Sequence, residues 1–173
     1  MTLGIKNTKI TLLIISWIQI IGGIIGLGLI ASILLKTGVI NGALLLIFLV
    51  GLILFWYSIY SGIKLLTDKT KDTAIILSII NQTMQIFQWN MLGYAFSYCA
   101  GVGLTLGIQG QILNLDFSAL MSTFKMSINN TDEFFIKINL VAILLIFILF
   151  ITLKKLRKNK RTQEKQIEEL KVE

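Results

Sequence analysis

Long apolar runs constrain this chain more than any other feature of its sequence. Three of them cover residues 10–35, 43–63 and 134–153. At about 1.5 Å per helical residue, each is long enough to cross a hydrocarbon core about 30 Å thick. Apolar residues make up 55% of the 173 residues, and a soluble core of this size could not bury them all. We therefore expect lipid to be part of the solvent.

A fourth apolar run begins at residue 73 and meets no charged residue before Asp116. As one helix it would be about 65 Å long, which is too long for a single crossing. The run therefore contains either two membrane helices or one helix followed by another kind of structure.

The distribution of basic residues favours one helix here and four crossings in all. With four crossings, all but three of the 16 basic residues lie on one side, and the exceptions are Lys36, Lys125 and Lys137. Basic residues near the ends of spans favour the cytoplasm. The sequence therefore predicts both termini in the cytoplasm and a multi-pass protein of the bacterial inner membrane. The predicted transmembrane helices lie at about 10–35, 43–63, 73–89 and 134–153.

The segment between the third and fourth predicted helices alternates bulky with small side chains. From Tyr94 to Ile108 the even positions are mostly bulky and the odd positions are small, and shorter alternating runs follow at 113–118 and 124–129. Strict alternation indicates strands, whose side chains point to opposite faces in turn. The predicted fold class is thus a mainly α integral membrane protein. Its four helices (domain 1–153) carry a small antiparallel β insertion at about 92–129 on the extracytoplasmic side, and residues 154–173 form a cytoplasmic tail.

Three arrangements of residues 92–129 remain open from the sequence. The first is a cap whose bulky face packs on the outer ends of the helices, and the second is a set of hairpins from several copies that close a shared barrel in the membrane. The third is a fifth helix. An open sheet would leave unpaired edge amides in lipid, so the cap is favoured.

Carboxamides are concentrated in residues 79–92. On a continuous helix, five polar residues between Ser78 and Gln88, here called the stripe, would fall within one arc of the helix surface. Lipid would not tolerate the stripe facing outward, so it should face other helices, a water-filled space or another subunit. Hydrogen bonding between helices is favoured over a solute path, because such paths usually contain an ionisable residue and the chain contains no His. The stripe consists of Ser78, Asn81, Gln82, Gln85 and Gln88.

Two further sets of residues suggest contacts. Gly22 and Gly26 form a GxxxG pair, which allows close helix packing either within one subunit or in a dimer. A basic cluster should attract anionic lipid headgroups at about 1 kcal/mol per charge. It contains Lys154, Lys155, Arg157, Lys158, Lys160 and Arg161.

The sequence offers little that could support catalysis. There is no His, Cys99 is the one cysteine, and no phosphate-binding loop or paired nucleophile and base is present. We therefore expect no enzymatic activity, no cofactor and no metal. The positive net charge follows topology, so no nucleic-acid partner is expected.

The favoured function is that of a non-enzymatic accessory or oligomer-forming subunit, which associates with itself or with another membrane protein. The alternative is an oligomeric pore or a membrane-permeabilising effector, toxin-like or defence-associated. A small solute or ion transporter ranks third, because four helices fall short of the usual repeat architecture.

Overall fold

The computed structural model describes residues 3–68, 72–118, 122–128 and 133–169. Within them the chain forms helices at both ends and a sheet in between. The helices are α1 (Leu3–Lys36), α2 (Gly42–Thr67), α3 (Asp72–Thr83) and α4 (Leu140–Glu169). The strands are β1 (Phe87–Met91), β2 (Tyr94–Cys99), β3 (Gly103–Gln109), β4 (Ile112–Ser118), β5 (Thr123–Ile128) and β6 (Phe135–Asn139).

Helices α1 and α2 form a hairpin. Asn41 caps α2, because its side-chain oxygen accepts a hydrogen bond of 2.8 Å from the Leu44 N–H. A Cβ atom at Gly26 would overlap the ring of Phe55, so this glycine lets the two helices approach closely. Within the described residues, two helical segments, Thr8–Lys36 and Gly42–Thr67, are long and apolar enough to span a membrane by length and composition.

The prediction of four transmembrane helices is wrong. Helix α3 has 12 residues, about 18 Å of helix, and ends at Thr83 rather than near residue 89. The predicted fourth span, 134–153, begins with β6 and becomes helical only at Leu140. The predicted spans 73–89 and 134–153 are therefore each part helix and part strand. In the described part of the chain, α1 and α2 alone contain a membrane-capable helical segment.

Helix α3 ends early because a side-chain hydrogen bond from Gln85 takes the place of a backbone hydrogen bond of the next helical turn. The Nε2 atom of Gln85 donates a hydrogen bond of 3.3 Å to the Asn81 carbonyl oxygen. This carbonyl lies at the end of the helix and would otherwise lack a partner. The following residues alternate exposed Phe87, buried Gln88 and exposed Trp89, which is the pattern of a strand. The amides that share one arc of an ideal helix therefore do not all lie on a helix.

Asn139 marks the change from β6 to α4. Its Oδ1 accepts hydrogen bonds from the N–H groups of Val141 and Ala142, at 3.1 and 3.3 Å, as an N-cap residue does. Before it, Ile136, Lys137 and Ile138 alternate in character, as a strand requires. The apolar residues before Asn139 hid this boundary in the sequence.

The strands form one antiparallel six-stranded sheet in the order β4-β3-β6-β1-β2-β5. The predicted β insertion at about 92–129 is therefore too short, because the sheet extends from residue 87 to residue 139. The hairpin between β1 and β2 turns at Leu92 and Gly93, which both have positive φ angles of 55° and 80°. Such a pair of angles suits the tightest antiparallel turns.

The sheet curls strongly. Strands β2 and β3 are separated by β1 and β6, yet a Cβ atom at Gly103 would lie 3.0 Å from the Sγ atom of Cys99. Four residues join β4 to β5, which lie at opposite ends of the strand order, and they can reach about 17 Å. The ends of a flat six-stranded sheet would lie about 24 Å apart. The face that carries Cys99 is therefore concave, and the opposite face is convex.

The core has two parts. The first unites all four helices. The second joins the half of the α1–α2 hairpin nearer its turn to the sheet, and consists of Ile30, Phe48, Phe55, Tyr98 and Ala100. The sheet therefore lies along the flank of α1 and α2, whereas the cap interpretation placed it on the ends of the helices.

Candidate functional site

A buried polar network connects α1, α2 and α3. At its centre the Gln19 side-chain oxygen accepts hydrogen bonds from Ser61 Oγ at 2.7 Å and from Ser78 Oγ at 3.4 Å. Ser58 Oγ donates to the backbone carbonyl of Gln19 over 3.0 Å. All four residues are fully buried. Gln19, Ser58 and Ser61 were not predicted to belong to a polar site, although Ser58 and Ser61 are at helical spacing.

Asn81 extends this network to the sheet. Its Nδ2 donates to Ser58 Oγ over 3.2 Å, and its Oδ1 lies 3.3 Å from the hydroxyl of Tyr98. The same hydroxyl lies 2.9 Å from the Leu54 carbonyl oxygen. Tyr98 has no exposed surface and packs edge-on against Phe55, so it joins β2 to α2 through both polar and apolar contacts.

Gln85 and Gln88 connect the network to the strands. Gln85 Oε1 accepts a hydrogen bond of 2.9 Å from the buried Ala100 N–H, which β2 no longer pairs. Gln88 Oε1 accepts one of 2.9 Å from Ser97 Oγ on the concave face of the sheet. Of the predicted stripe, Ser78, Asn81 and Gln82 lie on α3, while Gln85 lies in a turn and Gln88 in β1. All five are buried inside one chain, so they form no surface for another subunit.

The network offers neutral hydrogen-bonding groups. No Asp, Glu, Lys or Arg takes part in the hydrogen bonds given above, and a cluster of three potential metal ligands is likewise absent from the described residues. Two buried amide nitrogens, Gln19 Nε2 and Gln82 Nε2, have no hydrogen-bond partner within the described part of the chain. A network of this kind can orient helices and hold neutral polar groups, but it supplies no group that exchanges a proton near neutral pH.

The convex face of the sheet is apolar, and its β2–β5 end packs on α2 through Tyr98 and Phe124. The strand register places bulky side chains opposite one another across the sheet, for example Trp89 opposite both Phe96 and Ile136. On β4, Leu113, Leu115 and Phe117 are between 62% and 72% exposed. The exposed large side chains of this face are Phe87, Trp89, Met91, Tyr94, Leu106, Ile108, Leu113, Leu115, Phe117 and Ile136.

The concave face carries mostly polar or small side chains, with Ile112 and Phe135 as apolar exceptions. Lys137 on β6 forms an ion pair of 2.6 Å with Asp116 on β4, and Gly107 on the intervening β3 has no side chain to separate them. Asn139 Nδ2 lies 3.9 Å from the Sγ atom of Cys99 at the end nearest the helices. The sheet thus exposes most of its convex apolar residues and buries Gln88, Asn90 and Asn139 on the concave face, although Asp116 and Lys125 on that face are exposed. A water-soluble sheet exposes its polar face and buries its apolar one.

The two glycines of the GxxxG pair face different neighbours within the chain. A Cβ atom at Gly22 would overlap the backbone of Ala100 and Gly101, and one at Gly26 would overlap Phe55. Gly22 also accepts a hydrogen bond at its carbonyl from Ser122 Oγ. The pair is therefore enclosed by the sheet and α2, and it is not a free dimer surface.

The basic cluster lies within α4, which continues without a break through the tail boundary drawn at residue 154. Arg157 Nε and Lys160 Nζ lie 2.8 and 3.6 Å from the carboxylate of Asp72 at the start of α3. The hydrogen bond from Arg157 lowers the pKa of Asp72 below its ordinary value. The rest of the cluster is solvent-facing, and a groove beside Phe150 is lined by Lys154, Lys158 and Arg161.

Comparisons of this chain with protein-family models, with curated proteins and with solved structures found no match. Its function is therefore inferred from its own residues and their contacts.

Proposed function

We propose that this chain is a non-enzymatic protein of the bacterial inner membrane that associates with further copies of itself through strand β4. Helices α1 and α2 anchor it, with the amino terminus and the basic end of α4 in the cytoplasm, where the cluster binds anionic headgroups. The observation that carries the proposal is the edge position of β4, combined with the high exposure of Leu113, Leu115 and Phe117.

An edge strand attracts a pairing partner. One side of β4 pairs with β3, so its other side presents backbone N–H and C=O groups. Near or within lipid each such group costs several kcal/mol unless it is paired. Pairing with another strand satisfies the whole row at once.

The sequence of β4 suits pairing with an identical strand. In an antiparallel pair centred on Leu115, Leu113 of one copy lies opposite Phe117 of the other. In the same pair, Asn114 lies opposite Asp116, so an amide faces a carboxylate and the two carboxylates do not face each other. Apolar pairs and amide–carboxylate pairs both favour cross-strand association, whereas like charges opposite one another oppose it. This arrangement has the two-fold symmetry of most homodimers.

Cysteine cross-linking in membranes tests the proposal. In a Cys99→Ser background, Leu115→Cys places two cysteines across the symmetry axis, with Cβ atoms about 5 Å apart. Leu106→Cys is the matched control, because Leu106 lies opposite Leu115 on β3 and faces the same side. Its distance to the same residue of a second copy would be about 14 Å. We expect copper-catalysed disulfide dimers of Leu115→Cys and none of Leu106→Cys. Equal cross-linking of the two variants, or none of either, would refute β4 pairing.

A pore is the second candidate function, and the polar concave face favours it. A closed barrel of six strands is too narrow for a channel, since eight strands leave an interior just filled by side chains. Pairing of β4 edges could join the curled sheets of several copies. Their concave faces, with Lys137 and Asp116, would then line one path for ions across the membrane. Conductance in planar bilayers tests this: Asp116→Asn should shift ion selectivity toward anions. Bilayers that stay silent at every protein concentration would exclude the pore.

A further inference from the structure

We infer that the convex face of the sheet contacts lipid acyl chains from β4 to β1, in the half of the bilayer away from the amino terminus, while Tyr98 and Phe124 at its β2–β5 end pack on α2. The inference rests on the membrane placement proposed above, but it assigns a different surface and a different partner. The sequence interpretation put the β segment outside the membrane as a cap.

The contacts of the sheet fix its height along the helices. Gly22, near the middle of the Thr8–Lys36 segment, touches the backbone at Ala100 and Gly101. On α2, the Leu54 carbonyl at mid-helix accepts from Tyr98, and Gly51 lies against Phe124. From there the shared core continues toward the outer ends of both helices. If α1 and α2 cross the bilayer, the sheet lies beside their outer halves.

The lengths of the neighbouring segments agree with this height. Helix α3 rises about 18 Å and β1 extends about 17 Å, so the two together cover about 35 Å. This is close to the thickness of the hydrocarbon core, about 30 Å. Strand β1, rather than a longer α3, therefore spans the part of the hydrocarbon core that is farther from the amino terminus.

The chemistry of the convex face also suits acyl chains. The strand register places no Asp, Glu, Lys or Arg on this face within the described strands, while Asp116, Lys125 and Lys137 all lie on the concave face. Tyr94 lies on the convex face at the end of the sheet that is farther from α3, and Trp89 lies at the middle of β1. Apolar side chains outward, mostly polar ones inward and a tyrosine at one rim are features of membrane-embedded strands.

Tryptophan quenching in vesicles tests the inference. The double variant Trp17→Phe, Trp56→Phe leaves Trp89 on the sheet, and Trp17→Phe, Trp89→Phe leaves Trp56, which is 67% exposed on α2. Each protein is reconstituted into phosphatidylcholine vesicles with brominated acyl chains. We expect bromine to quench as large a fraction of the Trp89 emission as of the Trp56 emission, and acrylamide to quench little of either.

The two proposals fail differently. If Trp56 is quenched by acrylamide and not by bromine, the membrane placement itself is wrong, and the inference falls with it. If Trp56 is quenched by bromine but Trp89 is not, the sheet is covered by protein or lies in water, and the inference alone is overturned.

A second measurement covers the case in which the double variants do not fold. Nitroxide labels at Leu113→Cys and Asn114→Cys, in the Cys99→Ser background, occupy neighbouring positions that face opposite sides of β4. We expect the label at 113 to be relaxed by oxygen, which concentrates in lipid, and the label at 114 by a water-soluble nickel complex. Relaxation of both labels by the nickel complex overturns the inference.

Discussion

Replacement of Gly22 by alanine should separate the sheet from α1. The added Cβ atom would lie 2.3 Å from the Gly101 nitrogen and 2.4 Å from the Ala100 carbonyl carbon, whereas ordinary contacts are 3.4–4 Å. Both obstructing atoms belong to the backbone, so a side-chain rotation cannot relieve the overlap. The sheet would have to move by about 1 Å or more, which also weakens the hydrogen bond from Ser122 to the Gly22 carbonyl.

Gly28→Ala is the matched control in the same helix, because nothing lies within 4 Å of its added Cβ atom. Both substitutions gain about 1 kcal/mol of helix propensity. Overpacking at Gly22 costs typically about 1–3 kcal/mol. We therefore expect Gly22→Ala to be less stable than Gly28→Ala by about that amount, which corresponds to about 2–4 °C of Tm for each kcal/mol.

Thermal unfolding in mild detergent measures the difference in stability, and alkylation of Cys99 locates it. Cys99 is buried and directly precedes Ala100, so a displaced sheet should expose its thiol. We expect slow maleimide labelling in the native protein and in Gly28→Ala, and faster labelling in Gly22→Ala. If the two alanine variants have equal Tm values and equal labelling rates, the packing of the sheet on α1 is not as described.

Three further predictions concern the polar contacts. Gln85→Ala should cost about 1–3 kcal/mol in detergent unfolding, because it leaves the buried Ala100 N–H without its acceptor; an unchanged Tm would contradict that bond. Asn139→Ala should cost about 1 kcal/mol through loss of the α4 cap, and hydrogen exchange should show fraying of the first turn of α4 and not of its far end. Because the pKa of Asp72 is lowered in the folded state, its contact with Arg157 stabilises the fold above the ordinary pKa of an aspartate and is lost as pH falls through the lowered value. In Asp72→Asn the ion pair is absent at every pH, so the free energy of unfolding should fall less on acidification than it does in the unsubstituted protein. Identical pH profiles of the two proteins would refute the ion pair.

The sequence predicted those parts of the fold whose periodicity is undisturbed. The alternation between Tyr94 and Ile108 indicated strand as one run, which the structure divides into the separate strands β2 and β3. The long apolar runs located α1 and α2, although α1 begins seven residues earlier than predicted. Strand β1 was missed, because the spacing of Gln82, Gln85 and Gln88 fits one face of a helix as well as it fits a helix followed by a strand. What decides between them is pairing with β2 across a tight turn and with β6, which is distant in sequence.

The candidate site was predicted in part. The five stripe residues are buried, and the side chains of all but Gln82 form the hydrogen bonds described above. The position of Gln85 in a turn depends on the otherwise unpaired Ala100 N–H, which no local pattern reveals. Of the partners, Ser58 and Ser61 lie three residues apart on α2, as Gln19 and Ser16 do on α1, so each pair marks one face of its helix. The sequence prediction gave these pairs no role. Asn139 did carry a signal, since an asparagine before a long apolar run is a typical N-cap. The apolar residues that precede it concealed the boundary.

The unusual polarity of the sheet links the two proposals. If its convex face lies in acyl chains, the hydrophobic effect gives no reason for two copies to meet there, because lipid is as apolar as the side chains. Backbone groups at the β4 edge remain costly in the same surroundings, and pairing them is the strongest drive to association that lipid leaves. A partner should therefore be held by main-chain hydrogen bonds along β4, while Leu115 stays in contact with lipid. On this reasoning Leu115→Ala should leave cross-linking through a cysteine at position 113 and one at position 117 intact. N-methylation of the outward-facing amides of β4, introduced by semisynthesis, should abolish it. Loss of cross-linking in Leu115→Ala would show instead that side-chain packing holds the copies together.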